Sequence, residues 1–87
     1  MLRIDKSTNG ATHLAVSGDM NAENLFVLAG LIGSEPAGRR IILDLKDLIH
    51  VDQAALELLA RCEVDAIELE NCSGYVREWI RSERSGK

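Results

Sequence analysis

Aromatic residues are almost missing from this sequence: they make up 3% of it, as Phe26, Tyr75 and Trp79. A core with so few rings has to be aliphatic, built from Leu, Ile, Val and Ala. Only one proline is present, Pro36, and there is no internal repeat, linker or low-complexity segment. Cysteine is scarce as well. Cys62 and Cys72 lack CxxC spacing, so they read as two reduced, mostly buried thiols and not as a disulfide framework or a metal site. Basic charge is short: 10 Lys and Arg against 14 Asp and Glu leave a net charge of −4. A general nucleic-acid binder needs the opposite balance to displace counterions, so that class is excluded, and the acidic excess serves solubility. No apolar run approaches the roughly 18 residues of a membrane span, and no basic-then-apolar leader precedes Ile4. The expected compartment is the cytoplasm. The seven glycines are scattered and never form a phosphate-cradling GxGxxG or GxxxxGK[ST] loop.

What the sequence does hold is an ordinary globular mixture, 46% hydrophobic and 28% charged over 87 residues. Residues 1–87 read as one small domain. A chain of this size buries only roughly 60–65% of the surface its unfolded form exposes, which excludes an enzyme with a deep cleft between domains.

Patterning along the chain predicts the order β-β-α-β-α-β-α. Leu2 and Ile4 alternate with Arg3 and Asp5, and Leu14 and Val16 alternate after Asn9-Gly10. Two such runs around an Asn-Gly pair predict a β-hairpin with positive φ at both central turn positions. Ser17-Gly18-Asp19 is expected to end the second strand. Asn21 reads as the N-cap of a helix with Glu23 in its first turn, and Leu25, Leu28, Ala29 and Ile32 form its apolar face. Gly33 is expected to close it as a left-handed cap, before Pro36.

Ile41-Ile42-Leu43 with Leu45 is a continuous aliphatic run, which predicts a strand covered by helices on both faces. Leu48, Ile49 and Val51 lead on to Asp52, placed as an N-cap for a helix from Gln53 to about Cys62 that buries Ala55, Leu56, Leu59 and Ala60. Asp65 to Glu70 reads as a short strand with Ile67 and Leu69 inward. Ser73 can cap a last helix with Tyr75, Val76, Trp79 and Ile80 on its apolar face, and the polar tail from Arg81 is expected to fray. The fold class is α/β: a small mixed sheet with packed helices, whose two strand–helix–strand units are expected to be right-handed crossovers.

Few constellations carry chemistry. His13, His50, Cys62, Cys72 and the aspartates show no HxxxH, CxxC or calcium-loop spacing, so no metal or other cofactor is expected. His13 is expected opposite Leu14, on an exposed or helix-covered face. A nucleophilic set of Cys62 or Ser73 with His50 and Asp44 lacks a nucleophile elbow, and Cys62 lies near a helix C-terminus, where the dipole raises a thiol's pKa. Catalysis is not expected. Asp44, Asp47 and Asp52 concentrate charge. Asp47 reads as solvated and Asp52 as a cap; alternatively Asp44 and Asp52 flank the carboxyl end of a central strand, the edge at which open α/β sheets bind ligands. Asp19 ends the neighbouring strand and belongs to the same candidate edge. In the last helix, Arg77 with Glu78 and Glu83 reads as a solvated face.

RRIILDLKDLIHVDQAALELL, from Arg39 to Leu59, resembles the central strand, loop and following helix of STAS domains, the fold of bacterial anti-sigma factor antagonists. HLAVSGDMNAENL resembles the family's second strand and first helix, and AIELENCSGYVREWI its fourth strand and last helix. The similarity spans nearly the whole chain, and its order of elements matches the one read from patterning. Where the family's phosphorylatable element reads Asp-Ser-Ser-Gly, this chain has Asp52-Gln53-Ala54-Ala55. Ala54 stands at the usual phosphoacceptor and has no oxygen to phosphorylate. Ala55 in place of the glycine favours the helix start by up to roughly 1 kcal/mol.

The resemblance implies a non-enzymatic interaction module held in the unmodified, binding state. Its contact patch would comprise Asp52, Gln53, Ala54 and Ala55 with His50 nearby, and its partner would be an anti-sigma kinase-like protein. Other STAS domains are cytoplasmic accessory subunits of lipid or anion transporters, and the helix N-termini could serve a small anion or nucleotide sensor. Self-association is also open to the chain, since its first strand lies at a sheet edge.

Overall fold

The computed structural model describes residues 1–85, apart from the side chains of Tyr75 and residues 83–85. Four strands form one mixed sheet: β1 (Leu2–Thr8), β2 (Thr12–Met20), β3 (Ile41–Val51) and β4 (Glu68–Glu70), in the spatial order β1-β2-β3-β4. β1 and β2 pair antiparallel, while β2–β3 and β3–β4 pair parallel. The helices α1 (Leu25–Gly33), α2 (Gln53–Val64) and α3 (Gly74–Ser85) fall between and after them, giving the predicted order and the predicted α/β class.

The hairpin differs from expectation in its turn. Thr8 pairs with Thr12 across the loop Asn9-Gly10-Ala11, and only Gly10 takes positive φ, +79°. A longer loop needs one left-handed residue, not two. Ser17-Gly18-Asp19 does not end β2 either; the strand passes through it to Met20. Gly18 makes this passage feasible, because at φ +88° it packs directly against the Met1 carbonyl, where any Cβ would overlap the oxygen.

Nine residues of β2 lie alongside eleven of β3, so β3 carries two extra residues. The register jumps between Ala15↔Asp44 and Ser17↔Asp47, and again between Gly18↔Leu48 and Asp19↔His50. Such bulges bend a strand and re-aim its side chains. Ile49, skipped by the second jump, is turned out and is 68% exposed.

The core lies on one face of the sheet. Leu14, Val16, Ile41, Leu43 and Leu45 pack there with Leu28 of α1, with Ala55, Leu56, Leu59 and Ala60 of α2, and with Val76 and Ile80 of α3. The alternate residues Arg3, Asp5, His13, Ala15, Asp44 and Glu70 occupy the opposite, polar face. Among the described residues no helix covers that face, so the aliphatic run of β3 is not enclosed from both sides as its composition predicts. Ile42, although buried, stands apart from the core cluster on that polar face. It pairs with His13 on one side and Glu68 on the other, neighbours that shield it laterally without a helix.

Helix starts and stops also depart from the sequence pattern. α1 begins at Leu25, after a turn in which the Asn21 side chain accepts from the N–H groups of Glu23 and Asn24. Asn21 thus caps the turn and Glu23 precedes the helix. α1 ends on Ser34 in right-handed geometry, with no left-handed cap at Gly33; the left-handed glycine of this loop is Gly38, φ +85°. α2 starts and buries the predicted residues and runs on to Val64. β4 is only three residues long, with Ile67 buried just before it. α3 is capped by Ser73, whose hydroxyl accepts from Val76 N–H (3.2 Å), and it is helical to Ser85. Trp79 is 46% exposed and lies off the core face expected of it, while Tyr75 falls outside the described side chains.

Candidate site at the carboxyl end of the sheet

β2 and β3 run parallel and end together, Met20 beside Val51. Their exits place the Asn21–Asn24 turn next to the start of α2. Asp52 joins the two. Its Oδ1 accepts from Ala55 N–H (2.9 Å) as a helix N-cap, and its Oδ2 accepts from Ala22 N–H (2.9 Å) across the gap. Asp52 N–H in turn donates to the Met20 carbonyl (3.2 Å). The Ala55 bond and then the Ala22 bond hold the carboxyl below its usual range, since both favour the charged form. The sequence placed Asp52 correctly as a cap; its second bond, to Ala22, had no signal in the pattern.

Beside this clamp, Asp19 Oδ1 lies 3.0 Å from His50 Nδ1, and Asp19 Oδ2 accepts from the Met1 ammonium at 3.0 Å. The ammonium first and His50 second hold the Asp19 carboxyl low. Asn24 Nδ2 donates to the Asp19 carbonyl (3.0 Å), fixing the turn against the strand. Asp19, His50 and Asp52 therefore share one edge. Gln53 is exposed, Ala54 is half-buried, and Ala55 is buried in the core. Of the predicted contact patch, Ala55 supports α2 from beneath and presents no surface.

Asp44 does not belong to this edge. β3 continues seven residues past it, and its carboxylate accepts from Asn71 Nδ2 (2.9 Å) and Lys46 N–H (3.0 Å). The Asn71 bond and then the Lys46 bond hold its pKa low. Asp44 satisfies the backbone of the first bulge and ties down the end of β4, which is a structural duty. It pairs with Ala15, four residues before the Asp19 that pairs with His50, so it stands about 13 Å along the sheet from His50. Cys62 is buried toward the far end of α2, its thiol pushed up to about 11 by burial, and Ser73 is occupied in capping α3. The set Asp44, His50, Cys62 and Ser73 is not brought together. His13 lies opposite Leu14 as predicted, half-exposed on the polar face. Among the described residues, no three His, Cys, Asp or Glu side chains are grouped to hold a metal ion.

Pattern reading missed three features. The first is an apolar rim: Phe26 (67% exposed) and Val27 at the start of α1 and Ile49 at the end of β3 are all turned out. Their signal is an excess over the helical face, since Leu25-Phe26-Val27-Leu28 is apolar on every side. The second is Glu35, nearly buried at the opposite end of the sheet, where it binds Thr12 Oγ1 (2.6 Å) and Lys6 Nζ (2.8 Å). Lys6 and then Thr12 hold its carboxyl low and pin the α1–β3 loop. The third is Arg77, which pairs with Glu63 of α2 and so is not on a solvated face.

A scan of the sequence against protein-family models matches none, and a search of the curated proteins finds no match. No helix among the described residues is long and apolar enough to cross a membrane.

Proposed function

We propose that this chain is a non-enzymatic protein-interaction module of the cytoplasm, similar to anti-sigma factor antagonists, which binds its partner through the surface around the start of α2. The observation that carries this reading is the clamp of Asp52. It fixes the first turn of α2 against the β2–α1 turn and presents Gln53 and Ala54, a surface with no hydroxyl, while Ile49, three residues before Asp52, is exposed at the end of β3. Apolar surface in a rigid polar frame is the usual make-up of a contact patch. Because residues 52–55 offer no acceptor oxygen on a hydroxyl, a kinase cannot add the charge that would repel a partner there. Binding is therefore constitutive.

Two features favour this over the competing classes. Asp44 stands apart from His50 and Asp52, so the acid–base set considered from the sequence is not assembled. At the starts of α2 and α3 one first-turn N–H each, of Ala55 and of Val76, is already held by the chain's own Asp52 and Ser73, and at α2 the cap is itself an anion that competes with a bound one. The test is capture from an extract of the source cells on the immobilised chain, with and without ATP. The expected result is one regulatory partner of anti-sigma kinase type, retained equally in both conditions. A partner released by ATP with label on Ser73 contradicts constitutive binding, and retention of a transporter subunit instead assigns the module to that assembly.

A further inference from the structure

β1 is the outer strand of the sheet along its whole length. Which of its backbone groups look outward follows from the bonds at both ends of the hairpin. Asp19 N–H donates to the Met1 carbonyl (3.1 Å), and Asn9 N–H donates to the Ala11 carbonyl (3.0 Å). The register from Leu2↔Gly18 to Thr8↔Thr12 has no break, so the odd-numbered residues of β1 direct their N–H and C=O groups at β2. Leu2, Ile4, Lys6 and Thr8 turn theirs outward, where no strand among the described residues meets them. A free edge of this kind is a template for another strand.

We propose that the occupant is the β1 strand of a second copy of this chain, antiparallel about a two-fold axis at Ile4, independently of any partner held at the start of α2. The side chains select both the partner and the register. Centred on Ile4, Ile4 faces Ile4 of the second copy in a hydrogen-bonded pair, and Leu2 faces the second copy's Lys6. Arg3 then lies directly across from the second copy's Asp5, twice by symmetry. A shift centred on Arg3 sets Arg3 against Arg3, and one centred on Asp5 sets Asp5 against Asp5. Only the Ile4 register replaces like charges with opposite ones, and directly opposed like charges destabilise a sheet.

The backbone agrees with the same choice. In the Ile4 register outward-facing residues meet outward-facing residues, which allows about six new ladder bonds. A two-fold axis perpendicular to the sheet keeps the helices of both copies on one side. Leu2 and Ile4, half-buried members of the core rim, then continue the apolar layer from one copy into the next. Lys6 keeps its ammonium on Glu35 and lays its aliphatic stem toward the second copy's Leu2.

The tests are sedimentation equilibrium and backbone amide exchange between about 10 µM and about 1 mM, a range suited to an interface at the small end of the scale. The expected result is a dimer at the upper concentration, with amide protection of Ile4 and Lys6 rising with concentration while that of Arg3 and Asp5 stays constant. Arg3→Asp or Asp5→Arg alone should weaken the dimer at least about tenfold, and the double swap should restore it. Both side chains are exposed, so these variants keep the fold. A chain monomeric throughout, a dimer in which Ile4 and Lys6 exchange as in dilute protein, or a double swap no better than the singles overturns the proposal.

Discussion

Replacing Gly18 by alanine should unfold this protein more readily than any other single methyl group added to a described glycine. Its backbone φ of +88° costs an L-residue roughly 1–2 kcal/mol. The added Cβ would also overlap the Met1 carbonyl oxygen and lie 3.1 Å from the Met1 carbonyl carbon. Both are backbone atoms, so the start of β1 has to move away, and the bond from Asp19 N–H to that carbonyl goes with it. Losing one such bond costs about 1 kcal/mol, so the total is about 1–3 kcal/mol after a small gain from a stiffer unfolded chain, with the strain of the overlap in addition.

Two other glycines supply the controls. Gly10 shares the positive φ, +79°, but a Cβ there meets nothing within 4 Å, so Gly10→Ala should cost only about 1 kcal/mol. Gly30 lies in α1 with open space around it, and Gly30→Ala should stabilise by about 0.5–1 kcal/mol. Urea unfolding of the three variants, read by linear extrapolation, gives the comparison. Gly18→Ala no more destabilised than Gly10→Ala would refute the close approach of β1 to β2 and, with it, the geometry assigned to Asp19.

Core truncation follows the one-sided packing: Leu43→Ala or Leu59→Ala should cost about 2–5 kcal/mol in urea unfolding, whereas Phe26→Ser, at an exposed site, should stay within about 0.5 kcal/mol. Stability should also depend on acid. Asp19, Glu35, Asp44, Asp52 and Glu68 all titrate lower in the folded chain than unfolded, so their stabilising effect is complete above the usual carboxylate range near about pH 4 and is lost as pH falls through the lowered folded values. A urea midpoint that rises on acidification from about pH 5 to pH 2 contradicts those pairings. Cys62, buried and pushed up to about 11, should resist a thiol reagent in the native state while half-buried Cys72 reacts first; equal rates would place Cys62 nearer the surface.

Several elements were readable before the fold was known, each for a local reason. Asp52 followed by Gln53-Ala54-Ala55 announces a capped helix, and Ser73 does the same for α3, because a cap is decided within four residues. Hydrophobic spacing located Leu28, Leu56 and Leu59 in the core. The failures share a non-local cause. Nothing in Ser17-Gly18-Asp19 tells a strand end from a strand pressed against the chain terminus. The aliphatic run Ile41–Leu45 signals burial, but not whether a helix or neighbouring strands supply it, and Ile42 is buried without a helix. Asp44 looked like an edge carboxylate because the two bulges that carry β3 past it have no signature in composition. At the site, the sequence brought Asp19, His50 and Asp52 to the right end of the sheet. Helical spacing also put Ala55 among the buried residues of α2, but nothing showed that Ile49 would be turned out.

The central claim is that a protein partner binds at the first turn of α2 and that no phosphate switch governs it. It is tested most directly by the affinity of the captured partner for Ala54→Glu, compared with Arg61→Glu on the exposed far half of α2. A glutamate in the first turn suits the helix dipole, so Ala54→Glu should fold as well as the parent chain and isolate the effect on binding. The account predicts that Ala54→Glu loses at least about tenfold in affinity, by a buried or repelled charge, while Arg61→Glu binds as the parent does. Equal affinity of Ala54→Glu and the parent chain would contradict it.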